Sequence, residues 1–155
     1  MYQERFSSWH LWQERDQLEE LGLPGVYAVA RSNSSLVGTP FRWDDEIIYI
    51  GMTNSVRGLR ARLKQFDNSM QGKLGHGGAQ RVKYKHREYS TFCENAYVAV
   101  AAFACDPRSN QPSDLRTMGD VARFEYLCFA EFVEKFGRLP EFNDKERSPK
   151  SRPAK

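Results

Sequence analysis

Between Arg57 and Arg87 the chain carries nine basic residues and one acidic residue, while residues 1–56 and residues 88–143 each sum to a charge of −4. A segment of charge +8 inside an otherwise acidic chain is the footprint of a polyanion-binding face, although a solvated basic helix and loop would carry the same charge. Arg57, Arg60, Lys64, Lys73, Arg81, Lys83, Lys85 and Arg87 are candidate contacts to a phosphate backbone. Tyr84 and Tyr89, interleaved near them, are candidate stacking residues. The same segment holds Gly72-Lys73-Leu74-Gly75-His76-Gly77-Gly78, which lacks the spacing and the terminal Lys-Ser/Thr pair of a Walker phosphate loop. His76 is grouped with the nucleic-acid contacts. It could also serve an active site as a base or as the acid for a leaving group, and alone it reads as an exposed loop histidine. His10 and His86 have no partner at metal-ligand spacing.

Composition bounds what such a face could belong to. The 155 residues (17.9 kDa), 40% hydrophobic and 13% aromatic, support one domain with a real core and exclude a wholly disordered chain. No apolar run approaches the roughly 18 residues of a spanning helix, and the N-terminus lacks the apolar stretch of a signal peptide. Cys93, Cys105 and Cys128 are odd in number with no close pair, which argues against a disulfide framework or a Cys-rich zinc site. Cys105 and Cys128 read as small buried hydrophobes. The expectation is a reduced, cytoplasmic protein with no membrane partner.

The elements that must position these groups follow from periodicity. Trp9, Trp12, Leu18 and Leu21 predict an amphipathic helix from about Ser8 to Leu21, capped by Ser7 or Ser8 and closed by Gly22 and Pro24. Gly25–Arg31 and Glu46–Met52 read as strands of an antiparallel hairpin across a turn-rich loop. Leu59, Leu63 and Phe66 predict a helix from Val56 to about Phe66. The glycine-rich stretch is expected to be a mobile loop, and Arg81–Tyr89 to be strand or helix. Ala96–Ala104 reads as a buried strand. A long helix is expected to start at Ser113 or Asp114 as its cap, and to end at Phe136 before Gly137 and Pro140.

Two of the strands carry a more specific pattern. Gly25-Val26-Tyr27 and Tyr49-Ile50-Gly51 resemble the paired tripeptides of the GIY-YIG nuclease superfamily. Either tripeptide alone carries no information. The family follows its second tripeptide with a helix bearing an arginine among apolar residues, matched by Arg62 between Leu59 and Leu63. A later helix opens with a glutamate followed by apolar residues, matched by Glu125 with Cys128, Phe129 and Phe132. An asparagine in Pro-x-aromatic-Asn is matched by Asn143 in Pro140-Glu141-Phe142-Asn143. The five elements stand in the family's order over most of the chain. Longer spacings leave Arg60 as a rival to Arg62 and Glu131 as a rival to Glu125. Periodicity favours Glu125, because Glu131 would be followed by Glu134 and Lys135 instead of core residues. Many members carry a histidine one turn after the arginine, where this chain has Phe66.

The resemblance implies an α/β fold of α+β type, with a small central antiparallel sheet of about three strands flanked by helices. It would span residues 25–143, with 1–24 as a helical extension and 144–155 as a basic, disordered tail. It also implies a DNA endonuclease that uses one divalent metal ion, Mg²⁺ or Mn²⁺. Glu125 would be the metal ligand, since a lone carboxylate holding a hydrated Mg²⁺ is a normal arrangement. Arg62 would clamp the scissile phosphate with its planar donor fork. Tyr27 or Tyr49 would act as general base, its hydroxyl acidified by nearby positive charge. Asn143 would position the tyrosines or the phosphate. DNA is the expected partner, with a homodimer as a further option. A silent nucleic-acid-binding module on the same fold is the alternative.

Overall fold

The computed structural model describes residues 3–73 and 75–150. Its architecture is α+β, and among the described residues the sheet has four antiparallel strands in the order β1-β4-β2-β3. These are β1 (His10–Leu11), β2 (Gly25–Arg31), β3 (Ile47–Thr53) and β4 (Ala96–Ala102). The helices are α1 (Gly58–Met70), α2 (Gly77–Lys85), α3 (Tyr89–Glu94) and α4 (Pro112–Phe136), with short 3₁₀ turns at Gln3–Arg5, Trp12–Gln17 and Glu141–Asn143. No helix among the described residues is long and apolar enough to cross a membrane.

β2 is the central strand, buried along six of its seven residues, and so it is apolar throughout instead of alternating. Its alternate side chains feed two cores. Tyr27 and Val29 face α1, α2 and α3, packed with Leu59, Leu63, Phe66, Val82 and Phe92. Val26, Ala28 and Ala30 face α4, packed with Val121, Phe124, Cys128 and Phe132. The pairing of Val29 with Tyr49 and of Ala30 with Ile47 leaves Ile48 as an extra residue, a bulge of the kind that redirects neighbouring side chains. Ile47 thereby joins the α4 core while Tyr49 stays on the α1 side with Tyr27.

The amphipathic helix expected from Ser8 to Leu21 does not form. Ser7 bonds Val100 through its backbone N–H and accepts from the Val100 N–H with its Oγ, so the residue expected to cap a helix pairs with β4 instead. His10 and Leu11 then cover that strand's edge, opposite Val98 and Tyr97. An open sheet edge is costly to leave bare, and pairing it outweighs local helix propensity. The apolar residues that suggested a helix are buried all the same, on both faces of the sheet: Trp9 in the α4 core, and Trp12, Leu18 and Leu21 in the other.

Helix α4 begins two or three residues earlier than expected, with Gln111 at the cap position in place of Ser113 or Asp114. Pro112 occupies its first turn, where a missing N–H costs nothing, and no side chain caps it. The Asp114 carboxylate instead accepts from the Asp106 N–H in the preceding loop. Gly137, at φ 71°, closes the helix in the left-handed conformation. Cys93 and Cys128 are buried and Cys105 is half-buried, all as free thiols.

Candidate active site

Tyr27 lies opposite Gly51 in the β2–β3 ladder, and Tyr49 sits two residues away on the same face. A Cβ on Gly51 would fall 2.5 Å from the Tyr27 Oη and 2.6 Å from its Cζ, so the glycine of the second tripeptide makes room for the tyrosine of the first. Gly51→Ala is therefore expected to force the Tyr27 ring out of place. Overpacking of this kind costs ~1–3 kcal/mol. Urea denaturation should show that loss, with any activity that depends on Tyr27 falling alongside it.

Asn143 braces the same strand. Its Oδ1 accepts from the Ile50 N–H at 2.9 Å and its Nδ2 donates to the Ile50 carbonyl at 2.8 Å. β3 is an edge strand, and this amide replaces a missing neighbour between Tyr49 and Gly51. Asn143 thus acts on the tyrosines through the backbone.

Helix α1 is set against this sheet by its first turn. The N–H groups of Leu59 and Arg60 donate to the carbonyls of Leu23 and Leu21, just before β2. Gly58, at φ 70°, lets the chain approach Gly22 so closely that a Cβ would sit 2.5 Å from its carbonyl oxygen. Arg62, one turn on, donates to Gln65 Oε1 at 2.6 Å, and Gln65 donates onward to the Gly75 carbonyl at 3.1 Å. The Arg62 Nε is buried with no partner among the described residues. Its guanidinium lowers the pKa of Tyr27, Tyr49 and Glu125 alike, so Arg62 stands within electrostatic reach of all three. Arg60 instead points to solvent and pairs with Asp16 at 3.2 Å. Between the two rivals, Arg62 is the one that faces the tyrosines.

Glu125, on α4, is half-buried with no hydrogen bond or ion pair among the described residues, and burial pushes its carboxyl up to about 7. Its charge raises the pKa of both tyrosines, which marks it as their neighbour. Glu131 exerts its influence on Cys128. An unpaired, partly desolvated carboxylate fits a divalent ion bound through one protein ligand. No cluster of three or more His, Cys, Asp or Glu that could hold a metal ion occurs among the described residues.

His76 differs most from expectation. Instead of an exposed loop residue it is 1% exposed and is the N-cap of α2, which begins inside the glycine-rich stretch. The Ala79 N–H donates to its Nδ1 at 3.2 Å, and its Nε2 lies 2.7 Å from the Tyr27 Oη. Burial, reinforced by Arg62 and Arg81, lowers its pKa to about 3, so the ring is neutral and carries its proton on Nε2. His76 therefore donates to Tyr27. The Tyr27 and Tyr49 rings lie beside one another, with centroids 6.0 Å apart. A directed chain runs from the Ala79 amide through His76 to the Tyr27 hydroxyl, each link polarising the next. Burial raises both tyrosines above their ordinary value, so the acidification expected from nearby positive charge does not prevail. Tyr27 is fully buried and lies well above its ordinary value, whereas Tyr49 is less buried and is drawn down by both Arg62 and Arg81. Tyr49 is the more acidic and more accessible of the pair.

The basic residues do not act as one face. Arg57, Lys64 and Lys73 line an open groove of about 710 Å³ beside Arg62, between the end of β3 and α1. Lys85 is paired with Glu141. Tyr89, expected to stack on bases, donates to Asp67, a buried carboxylate that also accepts from Trp12 and Arg15 and locks α1 to the N-terminal segment. Arg81 is buried on α2, while Arg87 is exposed and Lys83 is half-buried. Of the segment expected to be a tail, residues 144–150 lie against the domain. Ser148 is buried and donates to the Glu141 carbonyl, and residues 151–155 lie outside the described ones. Comparison with protein-family models, curated proteins and solved structures returns no match.

Proposed function

We propose that this chain hydrolyses DNA phosphodiester bonds as a metal-dependent endonuclease of GIY-YIG type. One observation carries the reading. Five side chains from five separate elements — a tyrosine from each of two strands, a helix arginine with an unpartnered Nε, an unpaired half-buried glutamate and a histidine bonded to a tyrosine — share one site beside a basic groove. Phosphodiester hydrolysis requires an activated water, charge neutralisation at phosphorus and stabilisation of the leaving oxygen.

Glu125 would hold Mg²⁺ or Mn²⁺, which when bound supplies Lewis-acid neutralisation of the phosphate charge and acidifies bound water. Arg62 offers the scissile phosphate its free Nε and neighbouring donors, held in place by Gln65. Tyr49 takes the proton of the attacking water. Burial opposes its phenolate, as does Glu125, while the two arginines favour it. His76 stays neutral and fixes the direction of the Tyr27 hydroxyl. Asn143 keeps β3 in register beneath Tyr49. Arg57, Lys64 and Lys73 give the flanking backbone a charged track.

Incubating the protein with supercoiled plasmid and Mg²⁺ or Mn²⁺ tests the reading, with nicked or linear product as the expected result. DNA retention that weakens steeply with salt, without cleavage in either metal, would assign the chain to the silent binding modules.

A further inference from the structure

Arg81 is a buried cation without a counter-charge. It is 9% exposed, its Nε has no partner, and no carboxylate among the described residues pairs with it. One turn into α2, its side chain runs back toward the helix N-terminus, as helical side chains do. A Cβ on Gly77 would lie 3.5 Å from the Arg81 Nη1 and 3.1 Å from the Lys150 Nζ, so both cations converge on the first turn. In that turn the N–H groups of His76, Ala79 and Gln80 are taken by Ser69 Oγ, His76 Nδ1 and the His76 carbonyl. The N–H groups of Gly77 and Gly78, at the first two helical positions, have no intrahelical acceptor. A helix N-terminus with free amides favours an anion, and an unpaired buried guanidinium requires one.

We propose that Gly77, Gly78, Arg81 and Lys150 form a second phosphate subsite, holding the phosphate next to the scissile one on the cleaved strand. This rests on the nuclease reading. A Cβ on Gly78 would fall 2.3 Å from the Tyr49 ring and His76 bonds the Tyr27 hydroxyl, so the first turn of α2, with Arg81 against Gly77, lies directly beside the tyrosines. A strand laid from Glu125 and Arg62 across Tyr49 would bring its next phosphate to α2. Gly77 has a defined part in this, since a side chain there would fill the space between the two cations. Lys150 gives the segment after Asn143 a part as well.

The test uses the full chain and inorganic phosphate, followed by the amide resonances of Gly77 and Gly78. Saturable shifts are expected in the natural protein. Arg81→Gln should bind phosphate roughly ten- to hundredfold more weakly, the range for a lost charge-assisted hydrogen bond. Lys150→Ala, at an exposed position, should weaken it less. Removing an unpaired buried charge should leave the melting temperature of Arg81→Gln equal or higher, whereas a structural arginine would lower it. A methylphosphonate at the flanking linkage should weaken DNA binding by the natural protein and have no further effect on Arg81→Gln. Absence of saturable shifts at Gly77 and Gly78, or unchanged binding in both variants, overturns the subsite. Because the titration needs no cleavage, phosphate binding by a protein that never nicks DNA would overturn the nuclease reading and leave the subsite standing.

Discussion

Glu125→Gln is expected to slow plasmid nicking at least ~100-fold in either metal, the scale of removing one key electrostatic group from a reacting phosphate. The substitution keeps shape and removes charge, so DNA binding should persist. The same variant should be more stable at alkaline pH. In the folded protein burial raises this carboxyl to about 7, above its ordinary value of 4.5. The protonated form is therefore the one the fold favours. Its contribution to stability is full below about pH 4.5 and is lost as pH rises through 7. Glutamine does not titrate, so its melting temperature should exceed that of the natural protein at pH 8 and match it near pH 5. Mg²⁺ should close the gap at pH 8 by stabilising the ionised carboxylate of the natural protein alone. Equal nicking rates in the two proteins would remove Glu125 from the metal site, and Glu131→Gln would then be the variant to make.

Arg62→Ala should also cost at least ~100-fold in cleavage rate. Arg62→Lys should recover only part of it, because an ammonium restores the charge but not the planar fork that meets two phosphate oxygens. The pH profile separates phosphate binding from an indirect role. Arg62 lowers the pKa of Tyr27, Tyr49 and Glu125, and its removal lets all three rise. The ascending limb of the rate profile, set by ionisation of Tyr49, should move to higher pH in Arg62→Ala and less so in Arg62→Lys. A reduced rate with an unshifted profile would leave Arg62 as a phosphate ligand and take the base role from Tyr49.

How far the sequence could lead depended on how local each decision is. β2 was legible from Gly25 to Arg31 because a short apolar, β-branched run needs no distant information. α4 was legible to its last residue because Gly137 ends it through its own backbone freedom. Tyr27, Tyr49, Arg62 and Glu125 could be singled out only through their resemblance, in type and order, to the GIY-YIG motifs, with periodicity favouring Glu125 over Glu131. What their side chains meet could not be read. Arg60 and Arg62 stand two apart on one helix, and only packing turns one to Asp16 and the other to the tyrosines.

The glycine-rich stretch marks the boundary most clearly. Its local propensity is for a loop, because glycine loses more backbone freedom on folding than any other residue. It nevertheless starts a helix, because His76 caps it and Gly78 packs where a Cβ would fall 2.3 Å from the ring of Tyr49. His76 followed at three and six residues by Ala79 and Val82 was a helix-start signal, but histidine is a weak cap on propensity alone. The sequence by itself therefore determined β2, β3, β4 and the long helix, written in local periodicity, and the order of the chemistry-bearing residues that carries the resemblance. Only the tertiary structure decided that His76 reaches Tyr27, that Arg81 is buried without a partner and that Asn143 replaces a strand at the sheet edge. Each of those rests on contacts across 49, 32 or more residues of chain, where the free energy lies in burial and pairing that no local pattern records.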